Sequence, residues 1–179
     1  MRLSSEDIRA ELEHSLSISP LDEEQIQPGS VDLRLGKEHA YLETMERHNI
    51  SESTPDIVRR VDDSETVTIK PGQCILATTK ETLDIPNHID GDVRGRSSIG
   101  RLFVHIHTAG YIDPGFSGEI TLELVNHSSN TYDIPVGMRI CQITFNYLQT
   151  PTSVGYDEKG DAKYAAQGGA TSSRITQDF

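Results

Sequence analysis

Four short stretches concentrate the residue types that chemistry needs. The first, Arg94-Gly95-Arg96-Ser97-Ser98-Ile99-Gly100-Arg101, packs three arginines and two hydroxyls into eight residues. Guanidinium forks and serine hydroxyls suit phosphate oxygens, and the glycines let a backbone approach a ligand closely. The bland alternative is a solvated basic turn. The second runs from His107 to Gly118 as HTAGYIDPGFSG, a Gly-rich hairpin holding an aromatic and an acid. Such a loop can offer backbone groups to a base edge while Asp113 takes a sugar hydroxyl. Its glycines would equally serve the positive-φ positions of a plain hairpin. The third is Glu123, an acid inside the apolar run ITLELV. It either faces water or is buried with partners, where desolvation would raise its pKa toward the range useful for proton transfer. The fourth is the tail, with Tyr156, Lys163, Tyr164 and Gln167 before GGATSSR. It reads either as a disordered terminus or as a flexible lid over a bound nucleotide.

The elements that must position these groups are short strands. Residues 118–126 alternate cleanly: Ile120, Leu122 and Leu124 face one way, Thr121, Glu123 and Val125 the other. After a turn at IQPGS, Val31, Leu33 and Leu35 alternate with Asp32 and Arg34, which predicts a half-buried strand within 26–36. A Pro-Gly turn at 71 and 72 separates two apolar runs, Pro86-Asn87 marks another turn, and Pro135-Val136-Gly137 precedes a strand over 138–148. An amphipathic helix is predicted over 4–16. Ser4 caps it with Asp7 as capping-box partner, Ile8, Leu12 and Leu16 form its stripe, and Ser19-Pro20 ends it. Residues 43–65 read as a polar surface excursion with a short strand at Ile57 and Val58. Short strands with turns about every ten residues suggest one all-β domain, a barrel or jelly roll.

Among the 179 residues, 28 acidic side chains against 16 basic ones give a net charge of -12. That argues against a general nucleic-acid binder, which needs a basic face. A site for anionic nucleotides must therefore gather its cations locally. Arginine outnumbers lysine 11 to 5. An acidic, lysine-poor surface fits a high-salt cytoplasm, and equally an ordinary acidic protein. Cys74 and Cys141 lie far apart in apolar, strand-like contexts and read as buried thiols of a reducing cytosol. MRLSSEDIRA has no apolar signal-peptide core, and no run approaches the length of a membrane span, so a cytoplasmic location is expected.

Taken together, Gly95-Arg-Ser-Ser-Ile-Gly-Arg101, Thr108-Ala-Gly-Tyr-Ile-Asp-Pro-Gly-Phe-Ser-Gly-Glu-Ile-Thr-Leu-Glu-Leu124, Pro135-x-Gly-Met-Arg-Ile-Cys-Gln142 and Lys163-Tyr-x-x-Gln167 resemble the dCTP deaminase family of the trimeric dUTPase superfamily. Leu3-Ser and Gln27-Pro-x-Ser-Val-Asp-Leu-Arg-Leu-Gly36 fit the same family's opening pattern. The blocks come in the family's order and span nearly the whole chain. The stretch between Arg101 and Thr108 is one residue shorter than the family pattern.

The resemblance implies a mainly β fold, a distorted β-barrel or jelly roll of the dUTPase-like type with a short N-terminal helix. It implies one domain over 1–179 with 150–179 as a flexible C-terminal lid, assembled as a homotrimer with active sites at subunit interfaces. The implied reaction is hydrolytic deamination of dCTP. Glu123 would shuttle protons between the attacking water and the departing ammonia, Ser97 would position that water, and Arg101 would offset developing negative charge. Arg96 and Ser98 would contact the phosphates, bridged by Mg²⁺, with Ile99, Gly100 and Leu122 as further binding positions. Asp113 would take the deoxyribose 3′-hydroxyl beside Tyr111, and Thr121 and Gln142 would complete the base pocket. Tyr156, Lys163 and Gln167 would close over the triphosphate. Family members are often inhibited by dTTP.

Zinc deaminases need H-x-E and a later P-C-x-x-C. This chain has neither, and its His105-x-His107 reads as a structural pair on one strand face. Family members that hydrolyse on to dUMP and pyrophosphate carry Gly and an aromatic after Thr-Ala. Here the pair is Gly110-Tyr111, which leaves room for a second water and points to the dUMP-forming type. The alternatives are deamination that stops at dUTP, a plain dUTPase, and a nucleotide-binding protein without catalysis.

Overall fold

The structure is a computed structural model. It describes residues 1–41, 47, 49–54, 59–61, 64–106 and 109–178. A helix, α1 (Ser5–Leu12), precedes the strands β1 (Ser17–Ser19), β2 (Ile26–Gln27), β3 (Ser30–Tyr41), β4 (Arg59–Val61), β5 (Thr66–Ile69), β6 (Cys74–Asp84) and β7 (Ile89–Gly95). A single helical turn, α2 (Ser97–Gly100), leads into β8 (Val104–Ile106), β9 (Tyr111–Ile112), β10 (Ser117–Asn126), β11 (Tyr132–Pro135) and β12 (Arg139–Tyr147). The main sheet runs β8-β10-β6-β3-β12-β7-β9, with β1 on β6 and both β2 and β4 on β3; β11 and β5 form a separate pair.

The long strand β3 joins the two halves of this curled sheet. Its first half pairs with β12, Val31 opposite Ile143, and its second with β6, Tyr41 opposite Ile75. The register slips between Leu35 and His39, and Gly36 sits in the slip. A Cβ there would stand 2.4 Å from the Thr78 hydroxyl and 2.8 Å from the Thr79 carbonyl, so only glycine lets the strands close. The core fills the curl, with Val31, Leu33, Leu35, Leu122, Leu124 and Phe145 all at 0% exposure. Each such side chain contributes about 1.5–3 kcal/mol of burial free energy. This is the distorted jelly-roll architecture expected.

Several local expectations change. The Ser4 capping box with Asp7 is present, Ser4 N–H donating to Asp7 Oδ2 at 2.9 Å. The helix nevertheless ends at Leu12, and Leu16 reaches the core (3% exposed) from the loop that follows. The β3 alternation is not half-buried: Asp32 is only 3% exposed, because two arginines from elsewhere in the chain cover its face. Cys141 is buried, and burial pushes its thiol up. Cys74 is exposed, since it opens β6 on the outward phase, just ahead of the buried Ile75. Over its described part, 109–118, the stretch read as a hairpin over 107–118 is not one. Within it β9 pairs with β7, Ile112 opposite Gly91, while β10 pairs with β6 and β8. The Pro114-Gly115 turn thus carries the chain from one side of the curl to the other. The strand predicted at Ile57 and Val58 lies outside the described residues, as do His107 and Thr108. Among the described residues no helix is long and apolar enough to cross a membrane.

A second buried acid, Glu81 on β6, is fully satisfied. It accepts from Arg34 N–H at 2.8 Å, Arg34 Nε at 2.6 Å and Gln25 Nε2 at 3.0 Å. This network ties the 20–27 segment to β3 and β6.

Candidate active site

The strand β10 presents its acid as the alternation predicts. Leu122 and Leu124 are buried at 0%, and the half-buried Glu123 between them points to the other face. There it lines a cavity of about 490 Å³. The same cavity takes Thr121 from β10, and Tyr111 and Asp113 from β9 and the turn after it. Tyr111 is 58% exposed. Desolvation, and then the negative charges of Asp90 and Asp113, push its hydroxyl up. Gly110 is half-buried beside it, and its carbonyl accepts from Val93 N–H at 2.7 Å.

The C-terminal segment forms the rest of the wall. Tyr156, Tyr164, Gln167 and Thr171 line the cavity. The segment lacks an apolar period because backbone and carboxylate bonds hold it. Gln167 O accepts from Glu119 N–H at 2.9 Å, Gly169 N–H donates to Glu119 Oε2 at 3.0 Å, and Ala170 N–H donates to Glu38 Oε1 at 2.8 Å. Lys163 is paired with Asp178, and the Arg174 guanidinium lies 5.6 Å from the Tyr164 ring centre. The tail therefore lies against β10 rather than trailing from the body.

Gly118 makes that docking possible. Its φ is +144°, and a Cβ there would stand 2.5 Å from the Gln167 carbonyl. Gly118→Ala is expected to loosen the tail. Limited proteolysis should then cut faster within 150–178, and KM for a nucleotide substrate should rise about tenfold or more if this wall grips the substrate. Unchanged proteolysis would show that the strap tolerates the methyl group.

The arginine–serine turn lies elsewhere. β7 ends at Gly95, Arg96 is extended, and α2 follows; Ile99 and Gly100 N–H groups both bond Arg96 O at 3.0 Å. Ile99 (6% exposed) plugs into the core, which leaves Ser97, Ser98 and Arg101 exposed. Arg94 is turned back to Asp92, its Nε donating to Asp92 Oδ2 at 2.9 Å. Arg96, Ser97 and Gly100 line a second cavity of about 340 Å³ with residues of β8. Gln142 belongs to this side rather than to Thr121. Its Nε2 donates to Gly95 O at 3.3 Å, and its Oε1 accepts from the Ser30 hydroxyl at 3.1 Å. His105, exposed on β8, meets the His127 ring edge-on at 4.6 Å.

One chain thus brings Glu123, Tyr111, Asp113, Thr121, Tyr156 and Gln167 to one cavity, and Arg96, Ser97 and Gly100 to another. Among the described residues the two cavities share no lining residue. Sequence reasoning overlooked Thr171, Ser172 and Ser173 on the first cavity; a small polar run after Gly-Gly carries no distinctive signal. It also overlooked Asp32 beside the second. Asp32 bore the same mark as Glu123, an acid inside an apolar strand.

The fold defines a class. The structure superimposes with a TM-score of 0.65 on the crystal structure of 2′-deoxycytidine 5′-triphosphate deaminase from Agrobacterium tumefaciens, over 82% of this chain and 48% of that one, at 24% identity. The chain spans about half the length of that protein. The chain belongs to the dCTP deaminase-like family, whose model matches residues 2–148. A relative from Dictyoglomus thermophilum named "dCTP deaminase, dUMP-forming" is 42% identical over 100% of this chain and 97% of its own. Another from Natronomonas pharaonis, named "dCTP deaminase", is 44% identical over 99% and 96%.

Proposed function

We propose that this chain is a hydrolase that deaminates dCTP and continues to dUMP and diphosphate, supplying dUMP for dTMP synthesis. The observation that carries this reading is Glu123, a carboxylate on a core strand that opens into a cavity sized for a nucleoside and shared with Asp113, Thr121 and Gln167. Water is a poor nucleophile unless a base stands within hydrogen-bond reach. Glu123 takes a proton from a water placed against C4 of cytosine. The new C–O bond forms, and the proton passes to the amino group, which leaves as ammonia while the C4–N bond breaks. Ser97 holds the water and the leaving amine, and Arg101 offsets the charge that develops on the ring. Asp113 takes the 3′-hydroxyl beside Tyr111, with Thr121 on the base side, while the Leu122 side chain stays in the core and can offer only its backbone. Arg96 and Ser98, with Gly100 and Gln142 around them, receive the phosphates, Ile99 anchoring the turn in the core and offering only its backbone, and Tyr156, Lys163 and Gln167 close the site.

The acid and the arginine–serine turn face different cavities, which supports a complete site drawn from two copies of the chain. This fits a homotrimer with sites between subunits. Among the described residues no three His, Cys, Asp or Glu side chains converge on a point. The donors beside the phosphate site are guanidiniums and hydroxyls, so Mg²⁺ would arrive on the triphosphate, keeping its waters and neutralising part of the charge. A cytoplasmic location and inhibition by dTTP belong to the same reading.

The step to dUMP rests on Gly110-Tyr111, where a glycine leaves space for a second water, and on the family members named for that product. Product analysis tests it. With dCTP as sole substrate, ammonia and diphosphate should appear in equal amounts without dUTP accumulating. Stoichiometric dUTP without diphosphate would mark the deaminase-only type, the second reading. Consumption of dUTP with dCTP untouched would mark a plain dUTPase and end the deaminase assignment.

A further inference from the structure

Asp32 is a buried acid that this mechanism does not use. It lies on β3, is only 3% exposed, and faces two guanidiniums with one carboxylate oxygen. Its Oδ2 stands 3.3 Å from Arg96 Nε and 3.4 Å from Arg139 Nη1. The two arginines are also joined directly, Arg96 Nη1 donating to the Arg139 carbonyl at 3.0 Å. Arg139 is anchored in turn, its Nη1 donating to Glu24 O at 3.1 Å. In the register of the sheet Asp32 stands opposite Gln142, and Gln142 opposite Arg94. The carboxylate therefore sits beneath the start of the arginine–serine turn.

We propose that Asp32 is a positioning residue that holds the Arg96 guanidinium, with Arg139 beside it, in the orientation that receives the substrate's phosphates. This rests on the reading of Arg96 as a phosphate ligand. A guanidinium has five N–H donors, so holding it by Nε and Nη1 leaves donors for a ligand. A free arginine has many rotamers, and fixing it beforehand lowers the entropy lost on binding. The shared carboxylate also screens two like charges that would otherwise repel. In so acidic a protein, a cationic cluster built around one counter-charge keeps a net positive charge where an anion must land. Burial pushes the Asp32 carboxyl up, and the two arginines pull it back only in part.

The test is Asp32→Asn, which keeps the shape and removes the charge, measured beside Arg96→Ala and the double variant. Phosphate contacts lie away from the carbon that loses ammonia, so for the deamination step they act as uniform binding and appear in KM rather than kcat. In Asp32→Asn, KM for dCTP should rise about tenfold with kcat within about threefold, and affinity for inorganic tripolyphosphate should fall in parallel. The double variant should be no worse than Arg96→Ala alone, since the effect runs through that side chain. If Arg96→Ala weakens tripolyphosphate and Asp32→Asn does not, the proposal is overturned and the reading of Arg96 stands. If Arg96→Ala changes neither KM nor tripolyphosphate binding, the phosphate reading itself falls and takes the proposal with it. Where Asp32→Asn does not fold, Asp32→Glu keeps the charge one methylene further out. Raised KM with unchanged kcat supports the role, and unchanged KM overturns it.

Discussion

Glu123→Gln is expected to lower the rate of dCTP deamination by about 10³-fold while KM for dCTP moves less than about threefold. The amide keeps the volume and the hydrogen-bonding edge of the carboxylate but cannot carry a proton from water to the leaving amine. A loss of that size corresponds to about 4 kcal/mol of transition-state stabilisation. The fold should not notice the change. Glu123 is half-buried between Leu122 and Leu124, which hold β10 in the core at 0% exposure. The melting temperature should therefore stay within a few degrees of the parent, since an isosteric swap at a half-buried position typically costs about 1 kcal/mol or less. Isotope-labelled dCTP read by ammonia release separates the two parameters. Turnover within tenfold of the parent would remove Glu123 as the proton shuttle. Loss of dCTP binding alongside turnover would make it a binding group instead.

Glu123 was legible because β10 obeys a strict two-residue period. One face of the strand meets the core, so the sequence carries the side on which each residue falls. Where structure depends on partners distant in sequence, the periodicity misleads. Asp32 carried the same alternation as an outward-facing residue, but Arg96 and Arg139 bury it from the other side. The 107–118 segment had the glycines and the turn chemistry of a hairpin. Its first strand, β9, finds β7 instead of β10, a pairing that no local signal encodes. The tail shows the converse. It has no apolar stripe and yet is held, because its bonds run from backbone groups to Glu119, Thr121 and Glu38. Contacts made through backbone amides leave almost no compositional trace, whereas the capping box at Ser4 and Asp7, a wholly local device, was readable in full. The chemical motifs were visible one by one. Their distribution over two cavities was not, because only the folded chain shows which motifs face each other.

That distribution carries the second large effect. Ser97→Ala and Glu123→Gln chains, each nearly inactive alone, should regain activity when co-expressed or refolded together. The Ser97 turn and the Glu123 strand line cavities with no described residue in common. Leu102 and Phe103, beside the turn, are 43% and 64% exposed, and the proposed assembly would cover them with a neighbouring copy. In a cyclic assembly each site pairs the acid of one subunit with the turn of the next. Random mixing then gives about one site in four with both parent residues, a gain of hundreds-fold over either variant alone. If each chain built its own site, every site would carry one defect, and the mixture would be no better than its parts. Wild type mixed equally with a doubly substituted chain provides an independent check. Shared sites leave about a quarter of the parent activity, while sites confined to one chain leave about half. The two mixtures thus bracket the geometry from opposite directions: one must gain and the other must lose more than dilution explains. Only a site divided between copies satisfies both.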